Sequence, residues 1–101
     1  MERDVAKWWQ SSGIRIACVG FENQSIEDPR MVLRVYGYDG AEYRNQCTEE
    51  NRKNPAYPVV TLVLYFGTKQ KWTAPTELYD TVKVPEELKR FVPNIRINVF
   101  N

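Results

Sequence analysis

The sequence predicts one α/β domain, bordering on α+β, in which a mixed sheet carries helices in the order β-β-α-β-α-β. Three observations lead there. A nearly unbroken apolar run at residues 58–67 (PVVTLVLYFG) reads as a strand, because β-branched and aromatic side chains suit a pleated, buried surface. Two β-rich stretches near the start and an alternating stretch at 95–100 (IRINVF) supply three more strands. Between them lie segments with helix-start signals. The chain has 101 residues, 43% of them hydrophobic and 27% charged. That is one core's worth of chain, 1–101, and too much apolar surface for a disordered segment.

In chain order, residues 3–9 (RDVAKWW) and 14–21 (IRIACVGF) flank the turn signal Gln10-Ser11-Ser12-Gly13 and form a hairpin. Asp28 followed by Pro29 reads as N-cap and first helical position of a helix over 31–46, which Gly37 and Gly40 weaken. Residues 49–56 (EENRKNPA) are polar and end in proline, so they form a loop. The 58–67 run lacks polar alternation, so it is expected to be central and covered on both faces. Residues 68–75 are irregular, 76–80 make a helical turn, and 85–91 (PEELKRF) a short helix that Pro93 stops. There is no internal repeat or linker.

Composition removes several function classes. Fourteen Lys plus Arg against thirteen Asp plus Glu give a net charge of +1, so any contact with phosphate has to be local. There is no histidine, and Cys18 and Cys47 stand alone. A structural zinc site and His-based catalysis are therefore out, leaving carboxylates, Lys, Arg, Tyr or a metal. No apolar run approaches the ~18 residues of a membrane span, and Met1-Glu2-Arg3-Asp4 has no leader pattern. The expectation is a cytoplasmic protein with no membrane partner.

Two acids stand out: Asp4 at the start of the first strand, and Glu22 at the end of the second, followed by Asn23 and Gln24. In an antiparallel hairpin they share a face only if paired residue numbers sum to an even value. A three-residue loop, Ser11-Ser12-Gly13, would pair Gln10 with Ile14, an even sum, and supplies a Gly for the left-handed position such loops use. Asp4 would then lie opposite Gly20 and diagonal to Glu22, with Cβ atoms ~7–8 Å apart, close enough for two carboxylates to hold one cation. Gln24 would point to the same side. On spacing alone, the acids read first as solvated strand ends and second as a metal pair.

Other residues carry paired readings too. Arg34 and Tyr38, one helical turn apart, share a face. Arg34 either contacts phosphate or holds Glu22, or else it covers apolar surface with its stem, while Tyr38 reads mainly as core. Trp8, Trp9 and Trp72 are core or interface, or stack on bases. Lys69, Gln70 and Lys71 make a basic tip that is either a solvated loop or a DNA-backbone contact.

The ordered series Asp4, Glu22-x-Gln24, Met31-Val32-Leu33-Arg34, Tyr38-Asp39, YPVVTLVLYFG at 57–67, Trp72-x-x-Pro75 and PEEL at 85–88 resembles the Rpn family. These are recombination-promoting nucleases, also labelled PD-(D/E)XK nuclease family transposases, and the likeness covers nearly the whole chain. It implies a restriction-endonuclease-like core and hydrolysis of DNA phosphodiesters. In the family pattern Asp4 and Glu22 are the metal-holding acids, joined by the carbonyl of Asn23, and the cofactor is Mg2+ or Mn2+. Gln24 stands where many related nucleases have Lys, so it can orient a water but cannot add positive charge. Arg34, Tyr38, Lys69 and Lys71 are the candidate DNA contacts. Family members usually carry a helix and a further strand before the Asp strand and a longer region after the last strand, so by this resemblance the chain looks like a member truncated at both ends, with one sheet face expected to be bare. Self-association is then expected, and the alternative to an active nuclease is an inactive remnant serving as an oligomerising or DNA-associated module.

Overall fold

The computed structural model describes residues 5–11, 14–67 and 70–101, with side chains from Gln24 onward within that range. Strand β1 (Val5–Ser11) and β2 (Ile14–Gln24) precede helix α1 (Met31–Asn45). Strand β3 (Val59–Tyr65) follows, then the short helix α2 (Leu78–Thr81), a 3-10 turn (Glu86–Leu88) and strand β4 (Asn98–Phe100). One sheet holds all four strands in the order β1-β2-β3-β4. β1 and β2 are antiparallel, whereas β2–β3 and β3–β4 are parallel, so the sheet is mixed.

The hairpin register departs from expectation. Ser11 pairs with Ile14, and Gln10 pairs with Arg15 rather than with Ile14. Two residues intervene instead of three, and such a register alone gives an odd sum that would separate positions 4 and 22 to opposite faces. An irregularity between Trp9 and Gln10 then takes up one extra residue of β2, so that Trp9 pairs with Ala17 and Ala6 with Gly20. From there the parity is even, and the partner of Gly20 is Ala6 rather than Asp4.

α1 starts at Met31, with Arg30 rather than Asp28 at the N-cap and no side-chain cap bond. Asp28 instead accepts the Arg30 N–H at 2.9 Å, a local Asx-type turn that leads into the helix. One stripe of α1, Met31, Val32 and Val35, is buried against Val63, Leu78 and Ile97, with Trp72, Val92 and Val99 packed around them. At its other end the Gln46 amide pairs with Tyr57 twice: Nε2 donates to the Tyr57 carbonyl and Oε1 accepts the Tyr57 N–H, both at 3.0 Å. The Tyr43 hydroxyl accepts the Val59 N–H. The helix end thereby fixes where β3 begins.

β3 is central, as the apolar run implied, but only one of its faces is covered. Val59, Thr61, Val63 and Tyr65 are buried under α1, while Val60 and the following Phe66 are exposed. The expected cover on the second face is absent among the described residues, because α1 and α2 both pack on the first. The last strand is also shorter than expected. Residues 95–97 bond backward to the approach of α2, with Leu78 N–H donating to Ile95 and Ile97 N–H to Thr76.

Candidate functional site

The motif strand β2 lies between β1 and β3, and its register positions identify the face that matters. Gly20 is level with Thr61, Glu22 with Val63 and Gln24 with Tyr65. Thr61, Val63 and Tyr65 are 3%, 0% and 7% exposed under α1. Positions 20, 22 and 24 therefore belong to the rows of the helix-covered face, and Gly20 itself is buried there. Asn23 is level with Leu64, in a row of the opposite face. The Gln24 carbonyl accepts the Phe66 N–H at 2.8 Å, so the exits of β2 and β3 run together.

Arg34 sits on α1 above that face. Its Nη1 donates to Asp28 Oδ2 at 2.9 Å in a part-buried ion pair, which aims the guanidinium from the turn before the helix. The Arg30 N–H first and the Arg34 guanidinium second hold the Asp28 carboxyl below the usual carboxylate range. Tyr38, one turn on, is partly buried. Gln24, Arg34 and Tyr38 are all engaged by partners.

Glu27, which the sequence did not single out, carries a dense local network. Its carboxylate accepts the backbone N–H groups of Thr73 and Ala74, the Thr73 hydroxyl, and Gln70 Nε2 at 3.2 Å. The Ala74 and Thr73 amides lower its pKa from the ordinary glutamate value. The loop beyond β3 is thus fastened three residues past Gln24. Lys71 rides on that loop and is exposed, so the structure places it near the exit of β2 without giving it a partner surface. Trp72, on the same loop, packs into the core. Its ring meets Tyr65 edge-on at 5.3 Å and its Nε1–H donates to the Ala74 carbonyl at 3.0 Å, which settles it as structural rather than base-stacking. Gly67 allows this, since a Cβ there would run into the Tyr65 ring.

Asp4 and Lys69 lie outside the described residues, and for Trp8, Trp9, Glu22 and Asn23 only the backbone is described. Among the described residues no group of three or more His, Cys, Asp or Glu gathers as a metal site, and no helix is long and apolar enough to cross a membrane.

A family model described as "Putative transposase, YhgA-like" matches residues 16–101. The chain belongs to the YhgA-like transposase family. The matched span includes Glu22, Gln24, Arg34, Tyr38, Lys69 and Lys71 and begins after Asp4. Searches of curated proteins and of solved structures return no match. The end of β2 and helix α1 above it both fall within the span matched to the YhgA-like transposase family.

Proposed function

We propose that this chain is a metal-dependent endodeoxyribonuclease with a restriction-endonuclease-like core, hydrolysing DNA phosphodiesters in the recombination or transposition setting its family suggests. The observation that carries this reading is the parity of the hairpin. Val5 pairs with Phe21 and Ala6 with Gly20, an even register, which is what acids at positions 4 and 22 need in order to share a face.

The donor set suits a hard divalent cation. Asp4 and Glu22 offer carboxylates and Asn23 a backbone carbonyl, all oxygen ligands of the kind Mg2+ and Mn2+ take. The buried Gly20 adds no side chain to the row beside them. Bound there, the ion supplies charge neutralisation at the phosphate and a lowered pKa for its water. Gln24, whose own carbonyl is engaged by Phe66, contributes through its side chain by orienting that water with a hydrogen bond. Arg34, braced by Asp28, provides a fixed cation over the same face for a phosphate oxygen, and Tyr38 lines the approach. Lys69 and Lys71 add backbone contacts to DNA, a local positive patch on a chain of near-zero net charge.

Plasmid nicking tests this. The expected outcome is that the purified chain converts supercoiled DNA to open circles in Mg2+ or Mn2+ and stops with EDTA. Glu22→Gln abolishes the reaction because it removes a charged ligand at constant size, while Gln24→Ala only slows it. Equal activity of wild type and Glu22→Gln would mean a contaminating nuclease and end the proposal. A second reading, an inactive module kept for self-association, draws on the exposed apolar residues of β3 and β4. It requires that titration with Mn2+ show no binding that Glu22→Gln removes.

A further inference from the structure

The sheet has two faces and one layer of helix. On the face away from α1, Val60 is 36%, Phe66 62% and Phe100 52% exposed, and Leu62 and Leu64 are partly open. Phe100 is level with Leu64 and Asn98 with Leu62, so these residues form one continuous patch across β3 and β4. A sheet face meant for water alternates to polar residues. Here every outward position of β3 is apolar, and the described part of the patch carries no charge.

The surface total agrees with a missing layer. The chain exposes 7405 Å² at 11.9 kDa. A folded monomer of that mass exposes ~5,950 Å², so the excess is about 1,450 Å². The radius of gyration is 15.4 Å. The compact expectation for this length is ~12.7 Å. The molecule measures 43 × 40 × 21 Å, thin in one direction only.

We propose that the uncovered face is the interface with a second copy of this chain, the two sheets stacked face to face about a two-fold axis. A second copy fits for three reasons. Stacking two slabs doubles the thin dimension to roughly the length of the other two, with the sheets ~10 Å apart as sheet pairs pack. The whole-chain excess of about 1,450 Å² is large enough to include the ~800 Å² per partner that a stable interface takes. An isologous contact sets the apolar residues of β3 and β4 against themselves, burying no charged side chain of these two strands, and copies of net charge +1 repel each other only weakly. This inference is independent of nuclease activity.

Sedimentation of the full chain at micromolar concentration tests it. Wild type is expected at twice the chain mass. Phe66→Glu and, separately, Phe100→Glu raise the dissociation constant by roughly a hundredfold or more, because each buries an unpaired charge at the contact. Leu88→Glu is the control: Leu88 is 47% exposed but lies in the 3-10 turn, off this face, and its variant stays dimeric. Circular dichroism of each variant checks folding, and Phe100, in the short β4, is the substitution the fold tolerates best. A monomeric wild type, a dimer that survives both Phe variants, or one that Leu88→Glu disrupts equally would overturn the proposal.

Discussion

Val60 and Val63 lie three residues apart on β3, and truncating each to Ala measures how differently the two sheet faces are built. Val63 is fully buried beneath α1. Removing its two methyl groups costs ~1.6 kcal/mol in transfer at ~0.8 per methylene. The cavity left, about 50 Å³, adds about 1.2 at ~24 cal/mol per Å³, for a total near ~2.8 kcal/mol. For a domain of this length that is a fall in Tm of roughly 11–22 °C. Val60 is already 36% exposed, so its truncation loses about two thirds of the transfer term and opens no closed cavity: about 1 kcal/mol. The assay is urea unfolding at submicromolar protein, with the slope checked for constancy. Raising the concentration increases the Val60→Ala cost, since association stabilises only the folded form, and leaves the Val63→Ala cost unchanged. Equal costs at low concentration would show that both faces are buried within one chain and refute the two-layer description.

Four other outcomes are expected. Glu27→Ala releases the loop after β3, so the Thr73 and Ala74 amides exchange faster by hydrogen-exchange mass spectrometry; unchanged protection would mean the carboxylate is not what holds them. Glu27 and Asp28 have folded-state pKa values below their unfolded ones, so their contribution is present above the unfolded values, ~4, and is lost as pH falls through the folded ones. The urea midpoint of wild type should therefore fall more steeply below about pH 4 than that of the Glu27→Gln, Asp28→Asn double variant. Asp28→Asn alone costs only about 0.5–1 kcal/mol, as befits a part-exposed pair, yet lowers nicking by loosening Arg34; full activity would remove Arg34 from the site. Gly67→Ala pushes the Tyr65 ring off Trp72, which a loss of near-ultraviolet circular dichroism reports.

What the sequence determined by itself was local. The span of α1 and the central position of β3 were readable because helix periodicity and a β-branched run act over a few residues. The family, too, was written in short motifs at fixed order. Tertiary structure decided everything that depends on distant partners. The parity of the hairpin turned on one extra residue opposite Trp9 and Gln10, which no turn signal at Ser11 or Gly13 encodes. Asp28 looked like a helix cap and became the brace of Arg34 because the helix began two residues later. Glu27 gave no signal, since the amides it binds lie 46 and 47 positions away. The apolar run of β3 reads the same whether its second face meets a helix, another copy or water, because hydrophobic burial is non-directional and records how much surface must be covered, not by what.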